Sequence, residues 1–322
     1  MGFVREALHW HGLTGRGRFA LAVIPVAGLV AAQTQAPPLS IAGAGISLVS
    51  ALAIMLFFGH ARRRLRAMGW SGKWMWALVV PLLSLILVIV MLARRTRPEA
   101  APGPFNRGGR ALVWGLVALM ASRALWAPFI IPTGSMSPTL QPGDYVLATR
   151  RFAAPRRGDV VIFRHPVSGQ DFLKRVIGLP GDTVQMRDGL VILNGTPVPQ
   201  ATAPDWTEPY RATAMGTRPL CVTPVIEGDI CSKLAAIETL PGGPSYTVLD
   251  VGGMATDFTA LVEIPEGFAF VLGDNRDNSL DSRIAQSAGG VGLVPVAAVA
   301  GRVRLVLYSR EGRDGRVLRT VE

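Results

Sequence analysis

Histidine and cysteine are scarce in this chain, and acidic side chains are scarce over its first 131 residues. The 322 residues include four histidines, of which only His165 lies beyond residue 131. A Ser–His–Asp triad in the C-terminal part therefore has a single candidate base. His9 and His11 form a pair without further ligands nearby, so no metal site is expected. There are two cysteines, Cys221 and Cys231. In an oxidising compartment they can close a small disulfide loop, and in a reducing one they stay as two thiols. Residues 1–131 hold 14 Lys/Arg and 2 Asp/Glu, a balance of +12, while residues 132–322 hold 19 and 20, a balance of −1. The net +11 thus lies wholly among apolar segments, where it serves orientation and lipid headgroups. With a near-neutral C-terminal part, nucleic-acid binding loses its main support and is not expected.

Long apolar runs are abundant. Four stand out: Phe19–Ala32, Ile41–Gly59, Trp74–Ala93 and Ala111–Ile131, with 14, 19, 20 and 21 residues. A helix needs about 20 apolar residues to span a bilayer, so the last three suffice by length and the first needs its flanks. The loop His60–Lys73 carries four arginines and a lysine, and the Pro/Gly-rich linker Arg94–Arg110 carries five arginines. Both read as cytoplasmic. Two successive loops on one side conflict with a single crossing by Trp74–Ala93. A re-entrant or interfacial element bent near Pro81 resolves the conflict; four full spans with one charge violation is the alternative.

Beyond Ile131 the texture changes to short apolar runs: Tyr145–Ala148, Val160–Phe163, Thr183–Met186, Leu190–Leu193, Phe268–Leu272 and Val303–Tyr308. Pro142-Gly143-Asp144, Arg157-Gly158-Asp159, Pro180-Gly181-Asp182 and Asn194-Gly195 separate them, as in an all-β domain of many short strands. Residues 196–262 are less regular and read as an insertion or long-loop subdomain. The expected organisation is a helical membrane module over 1–110, an anchor helix over 111–131 and an all-β domain of antiparallel sheets over 132–322.

Ser135 lies in Pro132-Thr133-Gly134-Ser135-Met136-Ser137-Pro138, just after the last apolar run, and Lys174 lies in Phe172-Leu173-Lys174-Arg175-Val176-Ile177. A serine hydroxyl needs a base to take its proton, and a neutral lysine can do so. The lysine must fall from about 10.4 in water to about 7–8, which burial can supply. Phe172, Leu173, Val176 and Ile177 are suitable surroundings, while Arg175, facing the other way on a strand, is expected in solvent. Gly134 allows close backbone approach, the Ser135 N–H is a natural oxyanion donor and the Thr133 hydroxyl a second. A third run, Gly273-Asp274-Asn275-Arg276-Asp277-Asn278-Ser279-Leu280-Asp281-Ser282-Arg283, does not fit a calcium loop: Arg276 occupies an oxygen-ligand position and the turn glycine is missing. There is no Gly-x-Ser-x-Gly elbow, and no lysine three residues after Ser135.

Together the three runs, with Arg157-Gly158-Asp159-Val160-Val161-Ile162-Phe163, resemble bacterial type I signal peptidase, over roughly residues 111–322. The resemblance implies a membrane-bound serine endopeptidase without a cofactor, removing signal peptides from exported preproteins after small residues. It implies Ser135 as nucleophile, Lys174 as general base and Thr133 as oxyanion donor. It implies Ser279 as a hydroxyl orienting Lys174, and Asp281 with Arg283 as a buried ion pair, Gly273 and Asp274 supporting. Phe129, Ile131, Pro132, Met136, Asp171 and Leu173 would line the substrate subsites. The implied place is the bacterial inner membrane, multi-pass, with the catalytic domain on the periplasmic side. The implied partners are signal peptides and the phospholipid bilayer, with the secretion translocon a further candidate. Residues 15–110 more weakly resemble a small bacterial inner-membrane family of unknown function, through Gly15-Arg16-Gly17-Arg18-Phe19, Ala61–Trp74 and Gly103-Pro104-Phe105-Asn106-Arg107; that family's His-Asp pair is Arg66-Ala67 here. Two other classes stay open: a Ser–Lys protease with one dedicated membrane substrate, and a non-enzymatic membrane-anchored β-domain, which needs none of Ser135, Lys174 and Ser279.

Overall fold

A computed structural model describes residues 3–4, 7, 14–35, 39–96, 107–150, 153–165, 167–213, 216–309 and 317–321. His9 and His11 lie outside them, as does most of the linker 94–110. The chain divides into two compact units, Met1–Leu125 and Trp126–Glu322.

The first unit is helical. Helix α1 spans Arg16–Gln35 with Pro25 inside it, and α2 spans Ile41–Ala67. Ser40 caps α2 by accepting from the Gly43 N–H at 3.0 Å, which satisfies one of the orphan donors of the first turn. The sequence reading expects a loop from His60; instead α2 runs on to Ala67, with Arg64 and Arg66 in its last turn. Cations there oppose the negative end of the helix dipole. A 3₁₀ helix, Gly72–Val79, is followed by α3, Pro81–Ala93. The expected bend therefore falls at Val80–Pro81: proline lacks the N–H that would continue the helix but suits a first helical turn. Arg64 donates to the carbonyls of Met91 (2.7 Å) and Arg94, and to the Thr96 hydroxyl (2.9 Å), closing the C-terminal end of α3. Phe19, Phe58, Leu65, Met75, Leu87 and Met91 form the core of this unit.

Helix α4 spans Arg107–Ser122. This corrects the expected anchor helix over 111–131, because Trp126–Ile130 form strand β1. Pro128 explains the switch: it cannot donate within a helix, and it biases Ala127 before it toward extended backbone. Among the described residues, two helices are long and apolar enough to cross a membrane, Arg16–Gln33 and Ile41–Ala67.

The second unit is all-β. Its largest sheet runs β1-β2-β14-β3-β4-β12-β13, with β15 added to β14. Here β2 is Asp144–Arg150, β3 Val160–Arg164, β4 Asp171–Gly178, β12 Phe268–Leu272, β13 Val294–Pro295, β14 Val299–Ser309 and β15 Arg319–Thr320. A second sheet, β11-β5-β6-β7, joins Val262–Glu263, Thr183–Arg187, Leu190–Leu193 and Thr196–Pro197. These strands pair antiparallel. Each of the six apolar runs read from the sequence lies in a strand, and buried and half-buried residues alternate along β2 as the pleat requires.

The stretch 196–262 is more regular than its composition suggests. It holds a third antiparallel sheet, β10-β9-β8, from Ser245–Asp250, Ile230–Thr239 and Gln200–Pro209. Proline and threonine suit the edge strand β8, whose residues are mostly exposed. Cys221 and Cys231 are joined as a disulfide. Tyr246 and Val248 of β10 pack with Ile177, Val184, Phe270 and Leu272 in one core, so the insertion shares the hydrophobic interior of the other two sheets.

Candidate active site

Ser135 sits in a single 3₁₀ turn, Gly134–Met136, between extended Thr133 and Ser137. Lys174 sits mid-strand on β4, opposite Val161 of β3. The two side chains meet: the Lys174 Nζ donates to the Ser135 Oγ at 3.1 Å and to the Leu173 carbonyl at 3.0 Å. The Phe172 ring centroid lies 5.6 Å from the same nitrogen. Lys174 is only 3% exposed. Burial lowers its ammonium from 10.5 to about 8, against the pull of Asp281 and Asp274, with Arg283 adding to the depression. The lysine thus reaches the range in which it can hold or release a proton near neutral pH.

A set of buried ion pairs stands behind this dyad. Arg283 grips Asp281 with Nε at 2.9 Å and Nη2 at 3.0 Å, both side chains buried. Asp281 Oδ2, which Arg283 Nη2 also contacts, accepts from the Gly273 N–H at 3.1 Å. Arg175 makes a two-point contact with Asp274, 2.8 Å on each arm, and donates to the Gly158 carbonyl at 2.8 Å. Thr139 donates to Asp274 at 2.5 Å. Arg175 is therefore fully buried, against the sequence expectation of solvent. The reason is the third sheet: the Arg175 guanidinium lies 3.8 Å over the Tyr246 ring of β10, so both faces of β4 are covered.

Gly273 has no room for a side chain. A Cβ there would collide with Ser279 and lie 2.6 Å from the Ser135 carbonyl oxygen. Ser279 is buried beside it, but its hydroxyl makes no hydrogen bond, so the expected bond to Lys174 is not formed. The residue that does hold Ser135 is one the sequence reading passes over, Asn275. Its N–H donates to the Ser135 carbonyl at 3.1 Å, and its Nδ2 donates to the Gly134 carbonyl at 2.8 Å. Its only signal in the sequence is its place in a polar run following an apolar strand. Thr133 Oγ1 lies 3.5 Å from Ser135 Oγ.

A cleft of about 610 Å³ opens over the dyad. Ile131, Pro132, Thr133, Met136, Asp171 and Leu173 line it, together with Ser279. Phe129, on β1 opposite Val146, is not among the lining residues. Thr217, Met254 and Thr256 from the insertion also line it, as do Asn278 and Ile284. Among the described residues, no histidine lines the cleft. His165 accepts from the Ser168 N–H at Nδ1, so its Nε2 carries the proton and donates to the Gly290 carbonyl at 3.0 Å; it is a satisfied core residue.

Residues 107–308 match the family model described as signal peptidase, peptidase S26. A signal peptidase I of Rickettsia typhi (strain ATCC VR-144 / Wilmington) is 31% identical over 224 residues, covering 60% of this chain and 76% of its own length. One from Bacillus licheniformis is 32% identical over 209 residues, covering 62% and 86%. A crystal structure of a signal peptidase I from Enterococcus faecalis V583 is 29% identical, covers 47% of this chain and 98% of its own, and has a TM-score of 0.25; the fold rests on the strands described above, not on that superposition. With nearly two thirds of its length inside the family model and relatives of this identity, the chain belongs to the signal peptidase family, peptidase S26, on the side of the type I enzymes.

Proposed function

We propose that the chain is a membrane-bound endopeptidase that removes signal peptides from exported preproteins after small residues, with Ser135 as nucleophile and Lys174 as general base. The carrying observation is the 3.1 Å contact between Lys174 Nζ and Ser135 Oγ at a buried lysine. Neutral Lys174 takes the hydroxyl proton as Ser135 Oγ attacks the scissile carbonyl. The oxyanion is met by the Ser135 N–H and by the Thr133 hydroxyl, once that hydroxyl turns from Ser135 Oγ toward the new charge. The lysine ammonium then protonates the leaving amine. Water attacks the acyl-enzyme with Lys174 again as base. Asp281–Arg283 and Asp274–Arg175 are positioning pairs that hold the β4 and 273–283 segments without touching substrate.

Ile131, Pro132, Met136 and Leu173 make the apolar wall for a small side chain at P1. In this reading the enzyme sits in the bacterial inner membrane with its catalytic unit outside, a topology supported by the two long apolar helices and by the basic excess among the apolar segments. The exposed Leu48, Val49 and Leu52 of α2 and Leu83, Leu85 and Ile86 of α3 suit contact with lipid. In this reading α1–α3 form a membrane module and α4 leads into the catalytic unit.

The test is cleavage of a preprotein in detergent by wild type, Ser135→Ala, Lys174→Ala, the double variant and Lys174→Arg. All four variants should fall to a common background, since members of one catalytic unit do not add and a guanidinium is no base near neutral pH. Most of the activity surviving in Lys174→Ala rules the mechanism out.

A further inference from the structure

Three carboxylates converge about one point of the catalytic unit, outside the dyad. Asp250 ends β10, Asp257 follows in a short 3₁₀ turn, Ala255–Asp257, and Asp277 lies in the turn Arg276–Asn278. One oxygen from each lies within 4.8 Å of the others. The arrangement has an internal logic. Each carboxylate has one oxygen fixed by a backbone N–H of the loop 251–254: Val251 to Asp277 at 2.8 Å, Gly252 to Asp250 at 2.5 Å and Met254 to Asp257 at 2.8 Å. That leaves the second oxygens. Asp257 is 5% exposed, and its Oδ1 is buried without any hydrogen-bond partner; Asp277 Oδ1 is in the same condition. Asp257 Oδ1 and Asp250 Oδ2 both face Gly189, at 3.9 and 3.3 Å from where a Cβ would stand.

Buried carboxylate oxygens facing one another without a donor are costly. Arg276 lines the same cavity but is engaged by Glu238, Nη2 to Oε1 at 2.7 Å. A cation from solvent can reach the cluster, since Asp250 and Asp257 line an open cavity of about 430 Å³.

We propose that Asp250, Asp257 and Asp277 bind one calcium ion, completed by water from the cavity. An all-oxygen set without histidine or cysteine selects a hard cation. Calcium tolerates the irregular geometry that magnesium resists, and oxygens about 2.3–2.6 Å from one ion span the observed separations. The ligands come from three segments, so the calcium-loop pattern sought in the sequence does not find them. The ion would staple the insertion loop, which brings Met254 and Thr256 to the cleft, onto the turn that follows Asn275.

The full chain in detergent is stripped with EDTA and dialysed against calcium from about 10 µM to about 10 mM, which brackets extracellular calcium modules. Wild type and Ser135→Ala should bind about one ion per chain saturably, with a rise in Tm that tracks occupancy. Asp257→Asn should lose both responses, and Asp250→Asn, at a less buried position, should weaken binding at least about tenfold. Absence of saturable binding in wild type overturns the proposal, as does undiminished binding in both variants. A calcium-indifferent wild type whose Asp250→Asn variant is more stable in EDTA would show that a shared proton settles the charge instead.

Discussion

Replacing Lys174 by methionine should abolish cleavage and yet stabilise the fold below about pH 8. The reasoning starts from the ammonium held at about 8 instead of 10.5 by burial. That difference corresponds to about 3 kcal/mol against the charged form. The folded pKa lies below the unfolded one, so between these values the unfolded chain binds more protons and stability rises with pH. Below about 8 the full penalty is present in wild type; above 10.5 it is gone. Methionine keeps the volume, carries no charge, and leaves Asp281 and Asp274 with their own arginines. It forfeits the bonds to Ser135 Oγ and the Leu173 carbonyl, about 1 kcal/mol each. The net gain at pH 6.5 is about 1 kcal/mol, or about 2–4 °C in Tm for a unit of this size, and it should turn into a loss above pH 10.5. Thermal unfolding of both proteins in detergent at several pH values measures it. The companion assay is kcat/KM against pH for wild type. It should climb about tenfold between pH 7 and 9, as the neutral fraction of Lys174 goes from about a tenth to about nine tenths. Removing the charge of Asp281 should shift that rise to lower pH, because Asp281 holds the ammonium up. A lower Tm for Lys174→Met at pH 6.5, with a flat activity profile, would refute the argument.

Gly273→Ala should lower kcat about a hundredfold, since its methyl displaces Ser279 and the Ser135 backbone by close to 1 Å; a near-normal kcat would mean the segment yields freely. A preprotein with Phe at P1 should be cut at least about tenfold more slowly than one with Ala, a clash in a packed pocket costing over about 1 kcal/mol, and equal rates would contradict the subsite assignment. For topology, α3 has 13 residues, about 20 Å of helix against an apolar bilayer core of about 30 Å. Ser71→Cys, at an exposed position, should therefore react with an impermeant thiol reagent only after cells are opened; strong labelling from outside points to four full spans.

The β-domain was legible because its strands obey local rules: short apolar runs, with turn residues between them. Ser135 and Lys174 were legible because each lies in a dense local pattern. What failed depended on contacts distant in sequence. Alternation along β4 correctly put Arg175 opposite Lys174, but nothing local says that Tyr246 covers that face. Phe129 shares the face of Ile131 by alternation along β1, yet the cleft lining begins only at Ile131. Composition hid the third sheet, because β8 is an edge strand with polar and proline positions. Asn275 contributes through two backbone carbonyls, a role with no spacing signature.

Those two bonds also set an order of events during synthesis. Ser135 and Lys174 are 39 residues apart and emerge together, but the residue that fixes the Ser135 backbone arrives 141 residues after Gly134. The glycine that admits Ser135 and the aspartate–arginine pair behind the lysine arrive with it. A nascent chain stopped before residue 273 would carry both Ser135 and Lys174 and none of these restraints. The restraints on Ser135 and Lys174 are thus complete only once about the last sixth of the chain is in place.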